Sequence, residues 1–186
     1  MYLFAGIGNI GKKYSYTRHN IGFLIIDKII KQYDFKKEKE GFDSYIYRGI
    51  ILKKKVILIK PMTFVNNSGE AISKVVSFYK IPLEKIFVFH DDMDLSLSRI
   101  KIKLGGSAAG HKGIKSIDMH IGKNYNRIRI GIGNPTGYLT AKDYVLEKFS
   151  NNEYNIILKK LDILSENIHC LINNESNNLL NILSNA

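Results

Sequence analysis

His19 and Asp91 are the residue types from which a general base and its carboxylate partner are built. A neutral imidazole accepts a proton near pH 7, and an adjacent carboxylate stabilises the imidazolium that forms. His19 sits in the polar stretch Tyr14-Ser15-Tyr16-Thr17-Arg18-His19-Asn20, just before an apolar helical pattern. Taken alone it could do no more than bond the backbone at a helix start. Asp91 sits in His90-Asp91-Asp92-Met93-Asp94-Leu95, directly after the apolar run Ile86–Phe89. That block admits a carboxylate orienting a distant histidine, a solvated loop, or a divalent-metal site on Asp91, Asp92 and Asp94. No obvious second acidic cluster or His-rich motif completes a metal site, so the carboxylate–histidine reading ranks above it.

Three further segments have the composition of ligand-contacting loops. Gly6-Ile7-Gly8-Asn9-Ile10-Gly11 matches the dinucleotide pattern G-x-G-x-x-G after a strand. That pattern requires an apolar helix to open at the third glycine. Here Lys12, Lys13 and a polar stretch follow instead, so the glycines support a tight loop and not a nucleotide cradle. Lys103 to Gly113 is rich in Gly and Ala, which suits either a surface turn or a lid that brings backbone close to a phosphate-bearing or sugar-bearing substrate. Lys60 to Gly69 leads into a helix, where Asn66 or Asn67 could cap it or offer an amide donor and acceptor to a ligand. Arg99, Lys101 and Lys103 alternate along one run, and Arg127 and Arg129 along another. Placed side by side they would form a phosphate-binding stripe, and solvated edge residues are the rival reading.

The elements that must carry these residues alternate in type. Strand-like runs are Tyr2–Gly6, Tyr45–Ile50, Val56–Ile59, Ile86–Phe89, Ile100–Lys103 and Ile128–Ile132, with a hairpin turn at Lys53–Lys55. Helical patterns are Ile21–Tyr33, Ser68–Tyr79, Ile114–Ile121 and Asn152–Ile172. Asn173–Ala186 reads as a short terminal helix docking through Leu179, Leu180, Ile182 and Leu183, or as a frayed tail. The alternation predicts a single α/β domain over 1–186, with a twisted mixed β-sheet flanked by helices and a C-terminal helical segment at about 152–186. The chain has 28 Lys plus Arg against 17 Asp plus Glu, a formal charge of +11 that favours a polyanionic partner. One cysteine excludes an internal disulfide framework, and no apolar run approaches the ~20 residues a bilayer span needs. The opening residues lack the basic region of a signal peptide, so a cytoplasmic protein without membrane contact is expected.

Together the segments resemble bacterial peptidyl-tRNA hydrolases, block by block and in order. The family's GLGNPG, tyrosine and TRHN correspond to Gly6–Gly11, Tyr14 and Thr17-Arg18-His19-Asn20. Its P-x-T-F-M-N-x-S-G corresponds to Pro61–Gly69 and its HDELDL to His90–Leu95. Its LGGSAGGHNGLKSI lid corresponds to Leu104–Ile117, and its R-x-R-I-G-I-G-x-P to Arg127–Pro135.

The resemblance implies hydrolysis of the ester between a peptide and the 3′ ribose of tRNA, without metal or cofactor, by a monomer. It implies His19 as the base that activates water, Asp91 as the residue that polarises it, and Asn9 as a discriminator of N-blocked substrates. Phe64 and Asn66 would then meet the peptide end, Tyr14 the 3′ end of the tRNA, and Lys103 with Arg129 its 5′ phosphate. Four positions depart from the pattern: Ile10 for proline, Val65 for methionine, Ala109 for a lid glycine, and Lys112 for the asparagine of HNG. That asparagine is a substrate or oxyanion contact, and Lys112 can donate in its place with a full charge and a longer reach. The competing functions are a nicotinamide enzyme, a non-catalytic RNA-binding protein and a metal-dependent phosphoesterase.

Overall fold

The structure is a computed structural model that describes residues 1–186 apart from Lys39, Thr136, Tyr138 and Ala186. Its centre is β1 (Tyr2–Gly6), a strand whose residues face alternate sides of the sheet. Leu3 and Ala5 join one apolar cluster and Phe4 the other, so both faces are covered. Beyond β1 come α1 (Ile21–Gln32), β2 (Lys36–Lys37), β3 (Ser44–Ile51), β4 (Lys54–Pro61) and α2 (Ser68–Tyr79). Then follow β5 (Ile86–Asp92), β6 (Ile100–Leu104), α3 (Lys112–Ile121) and β7 (Asn126–Gly131). The chain closes with α4 (Ala141–Leu146), α5 (Asn151–Glu166), α6 (His169–Ile172) and α7 (Ser176–Ser184). The sheet order is β2-β3-β4-β1-β5-β7-β6. Strands β4, β1, β5 and β7 run parallel, while β3 and β6 pair antiparallel to their neighbours, giving the expected mixed sheet.

Helix α1 places Ile21, Ile25 and Ile29 at helical spacing against Phe4 and Phe89, with Ile157 and Leu161 of α5 in the same cluster. On the other face Ile72 and Val75 of α2 meet Ile114 and Ile117 of α3. The approach of α1 to the sheet is set by glycine. A Cβ on Gly22 would lie 2.5 Å from the carbonyl oxygens of Ile7 and Phe89, and one on Gly6 would lie 2.0 Å from that of Gly22. The helix that follows the His19 turn therefore sits directly on β1 and β5.

Several boundaries differ from the sequence reading for physical reasons. Strand β5 continues through His90, Asp91 and Asp92, because its pairing with β7 runs on to Asp92 opposite Gly131. The three polar residues thus end a buried strand instead of opening a loop. The hairpin turns at Leu52–Lys53, not Lys53–Lys55, with φ of 46° and 63°. Two positive φ values are what a two-residue turn needs, and the glycine that usually supplies them is absent. The single helix expected over Asn152–Ile172 breaks after Glu166, where the Asn167 side chain donates to Ile163 O at 2.9 Å. The terminal segment is a helix, with Leu179 and Leu183 buried and Leu180 and Ile182 partly so; Ala186 lies outside the described residues. Strand β2 and helix α4 were invisible to periodicity, one too short and exposed, the other only six residues long. Among the described residues, no helix is long and apolar enough to cross a membrane.

Replacing Gly22 by Ala tests the packing of α1. Alanine gains roughly 1 kcal/mol of helix propensity, but backbone clashes of this kind cost about 1–3 kcal/mol. The expected outcome is a net loss read as a lower urea midpoint with unchanged m-value. An equal or higher midpoint would show that α1 can lift off the sheet at little cost.

Candidate active site

The carboxyl ends of parallel strands form a crevice where neighbouring connections leave toward opposite faces. Here the turn after β1 brings Asn9 and His19, the turn after β4 brings Phe64 and Asn66, and β5 ends on Asp91. The segment between Gly6 and α1 is pinned by a reciprocal amide pair. Asn9 N–H donates to Asn20 Oδ1 at 2.8 Å, and Asn20 Nδ2 donates to Asn9 O at 2.9 Å. Asn9 Oδ1 in turn accepts from Val65 N–H at 3.0 Å. That bond fixes which end of the Asn9 amide is spoken for, so its NH₂ is the group left to serve the cleft.

Asp91 is 2 % exposed and its Oδ1 is shared by two imidazoles, His19 Nδ1 at 2.8 Å and His111 Nε2 at 3.0 Å. Burial alone would raise the Asp91 pKa, but the two histidines outweigh it and hold the carboxyl well below its ordinary value. An ionised carboxylate only accepts, so each histidine must donate to it. His19 therefore carries its proton on Nδ1 and keeps a lone pair on Nε2. His111 is the opposite tautomer, with its proton on Nε2, and a second bond requires the same: its Nδ1 accepts from Ile114 N–H at 3.3 Å as the cap of α3. Burial lowers the His19 pKa, yet the charge and hydrogen bond of Asp91 prevail and raise it above 6.5. His90 behaves oppositely: burial, then the neighbouring His111, push it down to about 3, so it stays neutral. Its Nδ1 donates to Asp91 O at 2.8 Å, and its buried Nε2 has no partner among the described residues.

Above this floor lies a cleft of about 600 Å³ lined by Asn9, Tyr14, His19, Phe64, Asn66, Asp91, Lys103, His111, Lys112 and Arg129, among others. It thus gathers every residue to which the family resemblance gives a role, while Asn67, Arg99 and Lys101 lie outside its lining. Tyr14 and Phe64 meet edge to face with ring centroids 6.2 Å apart. Phe64 is 51 % exposed, an apolar surface waiting for cover. Asn66 sits exposed in the 3₁₀ turn Val65–Asn67. The capping alternative fails there: Asn67 is the residue before α2, and its side chain makes no cap bond. The lid residues Ser107 to Gly110 also border the cleft. Ala109 adopts φ 44°, which explains a glycine in the family pattern and costs an L-residue about 1–2 kcal/mol.

The cationic stripe needs correction. Strands β6 and β7 do lie side by side, with Lys101 opposite Arg129 and Lys103 opposite Arg127. Arg127, however, is buried. Its Nη2 donates to Asp118 at 2.7 Å and its Nη1 to Ser107 O at 2.9 Å, and its guanidinium stacks 4.9 Å from the Tyr125 ring. It anchors the lid and is withdrawn from any phosphate. Arg129 Nε donates to Asp92 Oδ2 at 2.6 Å, so only part of its fork is left for a ligand. Lys103 is exposed at the cleft rim beside Gly106.

The metal site on Asp91, Asp92 and Asp94 is not formed: Asp92 is taken by Arg129 and by Asp94 N–H at 2.9 Å. Among the described residues, the group whose donor atoms converge is His19, Asp91 and His111, within 4.8 Å. Both ring nitrogens there point along hydrogen bonds at one oxygen, so a cation would have to displace both protons. The dinucleotide reading falls as well. Gly11 leads into the 3₁₀ turn Lys12–Tyr14, and α1 begins only at Ile21, leaving no helix N-terminus over the glycines. Sequence reasoning passed over His111 and Asn20 as site residues. Both stood in quoted motifs, but neither the shared carboxylate nor the amide pair has a signature in spacing.

The comparisons agree with this geometry. The chain matches the family model for peptidyl-tRNA hydrolase over residues 3–186. It is 47% identical over 176 residues to a peptidyl-tRNA hydrolase of Rickettsia canadensis, covering 94% of this chain and 95% of the relative. With that of Wolbachia pipientis wMel it shares 45% over 183 residues, 98% of this chain and 100% of the relative. The crystal structure of peptidyl-tRNA hydrolase from Acinetobacter baumannii superposes with a TM-score of 0.92 at 33% identity, covering 98% of this chain and 94% of that one. By sequence along nearly its whole length and by fold, the chain belongs to the peptidyl-tRNA hydrolase family.

Proposed function

We propose that residues 1–186 act as one cytoplasmic, monomeric hydrolase domain that cleaves the peptide–tRNA ester with a water activated by His19, needing no metal or cofactor. The observation that carries the mechanism is the tautomer fixed by Asp91: with Nδ1–H committed to the carboxylate, His19 Nε2 is the basic nitrogen on the cleft side. In the reaction Nε2 removes a proton from water as the oxygen attacks the ester carbonyl. Asp91 then faces an imidazolium, whose charge it stabilises without changing its own hydrogen bond. The developing oxyanion needs donors nearby, and the free NH₂ of Asn9 and the ammonium of Lys112 border the same cleft. The ribose leaves when the proton on Nε2 passes to its 3′ oxygen, restoring the neutral base.

Substrate placement follows from the cleft walls. Phe64 and Asn66 form the peptide end, with the exposed ring for a side chain and the amide for backbone. Asn9, rigid at the floor, is placed to tell an N-blocked peptide from a free aminoacyl group. Tyr14 offers its ring to the 3′ terminus of the tRNA, and Lys103 with the unused part of the Arg129 fork receives the 5′ phosphate. The direct test is hydrolysis of N-acetyl-aminoacyl-tRNA by the purified protein with and without EDTA. Equal rates are expected. Loss of activity in EDTA would instead make His19, Asp91 and His111 a metal site.

His19→Ala should lower kcat by about 10²–10⁴ while tRNA affinity changes little, since the base touches water and not phosphate. Because His19 is basic only above its raised pKa, kcat/KM should rise with pH through a limb above 6.5. Asp91→Asn should shift that limb downward and lower the plateau. A limb that stays in place in Asp91→Asn would remove Asp91 from the base's environment.

Lys103→Ala should weaken full-length substrate more than a peptidyl-oligonucleotide without the 5′ phosphate, and reduce the salt slope of binding by about one. It is a cleaner probe than Arg129, whose loss also strands Asp92. Equal losses on both substrates would reject the phosphate contact.

A further inference from the structure

Arg18 precedes the base in the same 3₁₀ turn, Arg18–Asn20, yet is not among the residues that line the cleft. It is 6 % exposed, and its fork grips Glu153 at both ends: Nη1 to Oε1 at 2.9 Å and Nη2 to Oε2 at 3.0 Å. The guanidinium lies over two rings, 4.4 Å from Tyr144 and 5.0 Å from Phe149. Glu153 is itself immobilised by a capping box at the head of α5, accepting from Ser150 N–H at 2.8 Å. The backbones are joined as well. Arg18 N–H donates to Glu147 O at 2.9 Å, Phe149 N–H donates to Tyr16 O at 3.3 Å, and Thr17 bridges Lys148.

Stability alone is a weak reason for such an arrangement. An ion pair taken out of water recovers little more than its desolvation cost, and apolar side chains of similar size often serve as well. What a bidentate fork between stacked rings provides is direction, since two parallel bonds fix both distance and plane. That direction passes to His19 through one peptide unit. Against the fork, the ring of His19 has, among the described residues, one hydrogen bond, to Asp91, beside a tilted contact with the His111 ring at 5.0 Å. On the reading of His19 as the base, we propose that the Arg18–Glu153 pair is a strap that keeps His19 seated against Asp91, making both residues positioning residues for the hydrolysis. The same strap fixes one wall of the cleft. Tyr144 belongs to α4, whose Lys142, Val145 and Leu146 border the cleft, and its hydroxyl donates to Ile132 O at 2.7 Å.

The test compares wild type, Glu153→Gln, Arg18→Lys and the double variant. The other titratable or charged groups bordering the cleft with His19 are Asp91, Asp92 and His90 of β5, Asp94 just beyond it, His111 and Lys112 at the head of α3, Lys103 of β6, Arg127 and Arg129 of β7, Lys142 of α4 and Tyr14, all left unaltered. Each single variant should lower kcat about ten-fold with KM within about two-fold, because a slightly misplaced base loses reactivity before binding is lost. The double variant should be no worse than the poorer single one. NMR titration of the His19 imidazole should move down toward the ordinary histidine value as its bond to Asp91 loosens. Folding is checked by circular dichroism; should Arg18→Lys not fold, Glu153→Gln, which keeps volume and one acceptor oxygen, decides. A folded variant with unchanged kcat and unchanged His19 titration, whatever its melting temperature, overturns the strap. Wild type without hydrolytic activity overturns the functional reading. The titration, which needs no turnover, would then still decide the strap, a moved pKa supporting it and an unmoved one rejecting it.

Discussion

One buried carboxylate organises this site. Asp91 at the end of β5 is an anion taken almost wholly out of water, a placement that is costly unless hydrogen-bond donors surround it. The donors come from chain segments far apart in sequence: His19 after β1 and His111 at the cap of α3. Each donation fixes a tautomer, and each tautomer has a different use. In His111 it frees Nδ1 to cap α3, tying the lid's end to the strand floor. In His19 it leaves Nε2 basic and turned to the cleft. Removing the charge from Asp91 would loosen His19 and the His111 end of the loop before α3 together.

The positive charge of the chain divides in the same way between surface and frame. Its +11 total favours a polyanionic partner, but the arginines are unequal contributors. Arg18 and Arg127 are buried: Arg18 forks onto Glu153 over Tyr144 and Phe149, while Arg127 bonds Asp118 and the Ser107 carbonyl over Tyr125. They tie down the turn before α1 and the loop before α3. Arg129 is shared with Asp92, and Lys103 stands exposed at the rim. Counting cations therefore overstates the charge available for phosphates, and the strand alternation that first suggested a stripe could not reveal which members are withdrawn.

Much of this was legible in the sequence, and the reasons for the exceptions are physical. Central strands and the amphipathic helices α1, α2 and α3 declare themselves because burial imposes a period on their apolar residues. His19, Asp91, Asn9 and Asn66, which ordered motifs singled out, all border one cleft. Strand β2, with two exposed lysines, and α4, with six residues, have too little buried surface to leave a pattern. The extension of β5 through Asp92 was missed because it is enforced by pairing with β7, a contact between distant segments. For the same reason Arg127 looked like a surface cation: its burial is decided by Asp118, Ser107 and Tyr125, none of which shares its strand.

The departures from the family pattern sit where the frame tolerates them. Val65 lies buried against Ile7 and Gly113, and its N–H still serves Asn9, so its replacement of methionine changes packing and leaves the amide lock intact. Ala109 pays in backbone strain for a position that glycine occupies freely, and that strain raises the energy of the lid conformation seen here. Lys112 opens α3 just after His111, exposed at its base and bordering the cleft. A cation at a helix N-terminus is electrostatically unfavourable, since the free N–H groups there are already positive. Its ammonium is therefore better placed toward an anion than toward the helix. On the proposed function, the substrate phosphates and the oxyanion of ester attack are the anions in reach, and the position then has a charged donor where the family pattern has a neutral one.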